Sequence, residues 1–301
     1  DIVDATVTGM GRGAGNLKTE LLLTVLNSKG KLDFDYNELS KVVDGFTDLQ
    51  KHHEWGTNLP YMVSGANSLP QKQVMDWVGK RYYSFNSIIR ALNNQSQGKI
   101  DNTKLPELNF ATEKKYKTAL LVGGGHSAVE HSEAIDNFLI LNPDVLVIHA
   151  SSKNALSFKD IPNDQYFCLV GNEGHRLEDV FGNRTINGKC ILPPYPRMMG
   201  TYIPTSLKEQ SYELSQVQFT QKYKDSHTAL ALESVLELGI KDVYVTGYDG
   251  YSGNAIGQKE QELFMENQYL FQLIKDKGIQ LRSLTLTRYD ELEGDSVYSK
   301  I

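Results

Sequence analysis

The sequence predicts an α/β fold, a parallel sheet covered on both faces by helices, preceded by a mostly helical stretch. Three observations lead there. From Tyr116 onward, short apolar runs alternate with segments of helical apolar spacing, the pattern of strands buried on both faces. Four of those runs stop at small or polar residues, in GGGHS, HASS, VGNEGH and VTGYDGY. Between Leu17 and Leu92, apolar residues recur at spacings of three and four.

In chain order, Ile2–Thr8 (IVDATVT) alternates as a strand does and runs into Gly9–Asn16, after which Leu17–Leu26 has helical composition. Asn16 is a candidate cap for that helix. Close glycines let a backbone pass tightly beside a ligand, and an ordinary strand-to-helix turn explains them equally well. Asp35–Trp55 reads as a helix with Leu39, Val42, Val43, Phe46 and Leu49 on one face. His52 and His53 are adjacent, so they point to different faces and make a poor metal pair. Pro60 and Pro70 bracket a loop. Gln71–Leu92 resumes helical spacing, with Val74, Trp77, Val78, Tyr82, Phe85, Ile88, Ile89 and Leu92 as core or dimer-contact residues. The polar run within Asn93–Lys117 places a boundary between domains at 1–98 and 113–301.

The second domain starts with Ala119–Val122, four apolar residues stopped by Gly123, Gly124 and Gly125, then His126 and Ser127. Ser127 is the expected N-cap of a helix running over Glu130–Leu141. Strands follow at Val145–Ala150, Tyr166–Val170, Cys190–Leu192, Val243–Thr246 and Ile279–Leu284, with helices at Arg176–Phe181, Ser226–Leu238 and Gln258–Lys277. Ligands of such sheets bind at the carboxyl ends of the strands, and the four polar strand ends are expected to converge on one crevice. The glycine run fits neither GxGxxG nor a Walker A loop.

Composition narrows the function. Of 301 residues, 40% are hydrophobic and 23% charged, enough for a sizeable core. A net charge of −6 argues against a general nucleic-acid or anionic-membrane binder. Cys168 and Cys190 form no metal spacing, and reduced thiols point to the cytoplasm. No apolar run approaches the ~20 residues of a membrane span. The chain opens on Asp1 within what reads as an element, so a piece of a longer protein is expected.

Two resemblances add to this reading. VDATVTGMGRGAGNLKTELL resembles the closing part of the catalytic barrel in the 4-hydroxy-2-oxovalerate aldolase and HMG-CoA lyase-like superfamily. The likeness covers about the first third of the chain, through TNLPYMVSGANSLPQKQVMDWVGKRYYSF. It implies the remnant of a TIM barrel with a helical extension, aldol chemistry on 2-oxo acids, and a divalent metal (Mg or Mn) to which Asn16 adds a ligand. The HxH pair and early Asp-Arg-Glu motif of that superfamily are missing, and one Asn cannot hold a hard ion. The chain is therefore expected to be inactive as an aldolase even where its parent is an enzyme.

LLVGGGHS and HTALALESVLELGIKDVYVTGYDGY resemble the Rossmann-like family that groups MptE-like pyrophosphokinases with bacterial sialyltransferase-like proteins. This implies a nucleotide or nucleotide-sugar site in surface polysaccharide biosynthesis. Gly123, Gly125 and Ser127 would face phosphates, and Tyr248, Asp249 and Gly250 would line the same cleft. His126 stands where many relatives have Pro. Gly124, Ser151 and Asn172 complete the expected cofactor-binding set.

Asp249 is the leading catalytic candidate, since a carboxylate at a strand end can hold Mg²⁺ through phosphate, accept from a ribose hydroxyl, or act as a base; an Asx turn is the bland alternative. His227 is the second, between Ser226 and Thr228, which look like capping residues. His126 is a candidate phosphate donor or equally a simple cap of the turn, His175 a candidate anion ligand after a strand end, His131 a solvent-facing helix residue and His149 a satisfied core imidazole. Arg197 and Lys208 flank PPYPRMMGTYIPTS, read as a lid or a plain surface loop. The expected partner is a small-molecule substrate, without nucleic acid or membrane, in a chain that could self-associate. The competing reading is a binding or assembly module without chemistry.

Overall fold

The computed structural model describes residues 2–11, 15–53, 55, 59–80, 85–97, 103–171, 173–197, 202–251 and 258–301. The chain divides into two compact units, Asp1–Asp101 and Asn102–Ile301.

Unit 1 is helical: α1 (Thr19–Ser28), α2 (Tyr36–His53), α3 (Leu59–Ala66), α4 (Gln71–Lys80) and α5 (Phe85–Ser96). Its core gathers where α3, α4 and α5 meet, with Tyr61, Val74, Trp77, Ile88 and Leu92 buried. Tyr82 lies outside the described residues, as does the side chain of Phe85. Several expectations change here. Ile2–Thr8 forms no strand; Val7–Gly9 is a 3-10 turn, and a single bridge joins Thr6 to Lys18. A strand exists only against a neighbour that completes its ladder, and no described segment of this unit offers one. The barrel remnant is thus not seen. Lys18, not Asn16, precedes the first residue of α1, and Asn16 Nδ2 instead donates to the Met10 carbonyl at 3.0 Å. Pro60 begins no loop: it sits in the first turn of α3, where a missing N–H costs no hydrogen bond. Gln71–Leu92 is two helices, not one.

Unit 2 carries an eight-stranded, all-parallel sheet: β1 (Thr118–Val122), β2 (Leu146–His149), β3 (Gln165–Cys168), β4 (Lys189–Leu192), β5 (Ser211–Glu213), β6 (Asp242–Thr246), β7 (Gln280–Ser283) and β8 (Glu293–Gly294). The order across the sheet is β5-β4-β3-β2-β1-β6-β7-β8. The helices are α6 (Ser127–Glu130), α7 (Ser132–Leu141), α8 (Glu173–Phe181), α9 (His227–Glu237) and α10 (Gln258–Asp276). Alternation along the strands feeds two layers. Leu121, Ile148, Cys168 and Val245 pack with Leu230 of α9 and Phe271 of α10 on one face. On the other, Leu120 and Val147 meet Phe138 of α7, and Phe167 and Cys190 meet Leu177 and Phe181 of α8. The two thiols therefore point to opposite faces, and burial raises both well above the usual thiol value. This is a mixed α/β, Rossmann-like architecture.

Three local expectations are corrected. Ser127 is the first residue of α6 and not its cap. The single helix expected over Glu130–Leu141 is broken at His131, whose Nδ1 lies 3.0 Å from the Tyr298 hydroxyl. Arg197 belongs to no lid: it is buried, paired with Glu213 at 2.7 Å, and donates to the Thr103 carbonyl. Among the described residues, no helix is long and apolar enough to cross a membrane.

Candidate functional site

Strand order reverses at the sheet centre, because β1 through β5 step outward on one side and β6 through β8 on the other. Ligands of doubly wound sheets bind at the carboxyl ends of the strands that flank such a reversal, here β1 and β6. The β1 loop is Gly123–His126 and leads into Ser127. The β6 loop is Gly247–Gly250.

These two loops are stitched together. Gly123 N–H donates to the Thr246 carbonyl (2.8 Å), and Gly125 N–H donates to Gly247 (2.7 Å). Asp249 accepts from the Ser127 amide at 3.0 Å and from the Ser127 hydroxyl. Ser127 Oγ also reaches Thr285 Oγ1 at 2.9 Å. The three glycines have different tasks. A Cβ on Gly123 would fall 2.4 Å from the Gly247 oxygen, and one on Gly125 would fall 2.6 Å from it and 2.7 Å from Asp249. The nearest atoms to a Cβ on Gly124 would be those of the Ser151 side chain, from 3.2 Å, and Lys153 Cδ at 3.8 Å. Gly123 and Gly125 are thus glycine so that two backbones can touch, whereas Gly124 faces the end of β2. Its carbonyl accepts from Lys153 Nζ (3.0 Å), and Asn154 Nδ2 bridges the Gly123 and Gly125 carbonyls at 3.0 and 2.8 Å.

The Rossmann-like resemblance implies that Gly123, Gly125 and Ser127 face phosphates. All three already donate within the chain, because the close loop packing supplies them with acceptors. Among the described residues, the amides of Gly124 and His126 meet no acceptor. Asp249 acts first as a clamp on the Ser127 end of the turn. Gly250 has φ +76° and packs on Arg288. Tyr248 is buried, shares a hydrogen bond with Thr228 (3.0 Å), and is pushed up from the ordinary phenol value by that burial. It anchors α9 to the end of β6.

A second cluster stands at the ends of β2 and β3. Glu173, 3% exposed, opens α8; its Oε2 accepts from the Ser152 amide at 2.6 Å, and its Oε1 pairs with Arg176. His227, at the start of α9, places Nε2 3.3 Å from the Val170 carbonyl and 3.8 Å from Glu173. Ser226 caps α9 by accepting from Ala229, as expected, whereas Thr228 lies inside the helix and bonds Tyr248 and Asn267 instead of capping it. Consecutive contacts run from Gly124 to Ser151, from Ser152 to Glu173, and from Glu173 to His227, so both catalytic candidates border one rim. Asn172 lies outside the described residues.

No protein-family model matches the chain, and no curated protein does. Among solved structures, it is similar to the N-terminal domain of a "putative aldolase" from Bacteroides vulgatus, with 65% identity over 29% of this chain and 28% of that one, at a TM-score of 0.24. It is also similar to the MAf glycosyltransferase from Magnetospirillum magneticum AMB-1, with 13% identity over 81% of this chain and 43% of that one, at a TM-score of 0.44. The chain thus spans less than half the length of either. At that identity and TM-score the second likeness carries nothing about activity.

Other candidates separate. His126 is exposed at the end of the β1 loop, after Gly125. His149 is fully buried against Gln165 at 2.8 Å. His175 is within α8, stacked on Tyr202 at 3.7 Å between ring centroids, so its place after a strand end gives way to ring packing. Among the described residues, no group of three or more His, Cys, Asp or Glu could hold a metal. Asn16 uses its Nδ2 on the Met10 carbonyl, and its Oδ1 is the atom that the implied metal role would need. Sequence reasoning missed Asn154, Glu173 and Thr285. Glu173 stood inside the quoted VGNEGH, but a carboxylate one residue from a loop asparagine has no spacing that marks it.

Proposed function

We propose that unit 2 binds a nucleotide or nucleotide-sugar across the carboxyl ends of β1, β2, β3 and β6, as a transferase-like domain in surface polysaccharide biosynthesis. The observation that carries this reading is the reversal of strand order between β1 and β6, with a glycine loop on one side and Asp249 on the other. Gly124 and His126 supply the amides still open to an anion, Lys153 the nearby positive charge, and Asp249 a carboxylate for ribose or a phosphate-bound Mg²⁺. The melting temperature of the whole chain is expected to rise with one of CMP, ATP or GTP, and the rise to vanish in Gly124→Val, which leaves the loop-to-loop contact in place. No rise with any of the three sinks the reading.

The competing reading, an assembly module without chemistry, draws on the same clamp: Asp249 and three loop amides are engaged inside the chain. It predicts no nucleotide response at all.

For unit 1 we propose descent from an aldolase-type barrel, on the strength of GxGxGAGNxxxE at Gly9–Glu20. Metal-assisted aldol chemistry on 2-oxo acids would belong to a parent carrying the HxH ligands, where the ion polarises a carbonyl. This chain with Mn²⁺ or Mg²⁺ is expected to release no pyruvate from 4-hydroxy-2-oxo acids; a coupled assay showing release would refute the proposed loss of metal.

A further inference from the structure

We infer that Glu173 and His227 form a carboxylate–imidazole pair whose free nitrogen, Nδ1, takes a proton from a hydroxyl group entering beside the glycine loop. This deepens the nucleotide reading and rests on it. The hydroxyl belongs to the acceptor of a group carried on a nucleoside phosphate.

A backbone carbonyl only accepts, so the 3.3 Å contact of His227 Nε2 with Val170 requires the proton on Nε2. Glu173 Oε1, 3.8 Å from the same nitrogen, favours that tautomer again. Both neighbours stand at Nε2, which leaves Nδ1 as the basic atom. The imidazole is 28% exposed, whereas the Glu173 carboxylate behind it is 3% exposed.

Glu173 does not need the imidazole for its own satisfaction. The Ser152 amide and the Arg176 guanidinium already hold its two oxygens. The contact therefore orients His227 and does not rescue a stranded charge. Ser152 follows Ser151, which lies against Gly124, and Thr228, next to His227, is tied to Tyr248 at the end of β6. The base thus stands at the end of β3, with β2 between it and the loop proposed to hold the donor.

The acceptor O–H proton moves to Nδ1 while its oxygen bonds to the transferred carbon. The bond from that carbon to the donor's phosphate oxygen breaks, and its electron pair leaves on the nucleotide phosphate. The imidazolium then returns its proton to solvent. His227 is the base, and Glu173 is a positioning residue.

Two measurements on the full chain test this. Histidine ¹⁵N shifts at about pH 8.5, where a free imidazole is neutral, with His227 assigned by its loss in His227→Gln, are expected to show Nε2 protonated and Nδ1 bare. The opposite tautomer overturns the pairing, and this arm needs no folded Glu173 variant. The second arm follows nucleotide release by water from UDP-glucose, GDP-mannose and CMP-sialic acid. His227→Gln is expected to lower kcat by about 100-fold with KM held, and Glu173→Gln to lower it less, in the same direction. Unchanged kcat in both variants overturns the base role. If no nucleotide shifts the melting temperature, the nucleotide reading falls and the transfer chemistry with it, while the nitrogen spectrum still decides the pairing.

Discussion

Gly125 shows what a single residue contributes to this site. It is glycine because the Gly247 oxygen and Asp249 occupy the space a side chain would need. Gly125→Ala is expected to destabilise unit 2 by about 1–3 kcal/mol, since the loops must part to admit the methyl group. Gly124→Ala, with only the Ser151 and Lys153 side chains to shift, should cost much less. Urea unfolding of both variants checks the contrast, and equal losses would contradict it. His149 supplies a second prediction. Its ring is fully buried, stacked on Phe167 at 4.9 Å, and Gln165 meets only one of its nitrogens. Burial lowers its pKa from 6.5 to about 4. The folded state thus refuses a proton that the unfolded state accepts. Its contribution is complete above pH 6.5 and drains away as pH falls toward about 4. The loss is on the order of 3 kcal/mol. His149→Phe should flatten that slope in unfolding curves taken across the window.

At the level of elements, the two units differ in how apolar spacing is used. In α2 the stripe anticipated from Leu39 to Leu49 exists, yet α1 and α2 bury none of their residues, and Val42 and Leu49 stay exposed. Spacing reveals which residues share a face; it does not say that anything covers the face. The two outermost strands were invisible for the converse reason. Ser211–Glu213 and Glu293–Gly294 are too short and too polar to stand out, and they are strands because β4 and β7 present unpaired edges to them. The outer edge at β5 is secured by Arg197, which ties Glu213 and the Thr103 and Pro193 carbonyls together. Removing the arginine strands a buried carboxylate, so Arg197→Ala is expected to cost about 3–5 kcal/mol. Arg197→Met with Glu213→Leu should recover a large part of that. A double-mutant cycle in which the paired change is as damaging as the single one would refute this account.

Across the whole molecule, the chain's own residues determined that a parallel sheet with helices on both faces follows Tyr116, because buried strands and amphipathic helices carry distinct apolar periods. They also determined that polar loops stand at the carboxyl ends of β1, β2, β3 and β6, because chain direction alone sets which end of a parallel strand a loop leaves. They could not say which of those loops are neighbours. Strand order depends on long-range pairing between segments such as Thr118–Val122 and Asp242–Thr246, more than a hundred positions apart. Only the tertiary structure placed β6 beside β1, closed Asp249 onto Ser127, and brought Glu173 to His227. Those contacts join residues whose local sequence carries no trace of the partner, and that is why the rim could be anticipated while its chemistry could not.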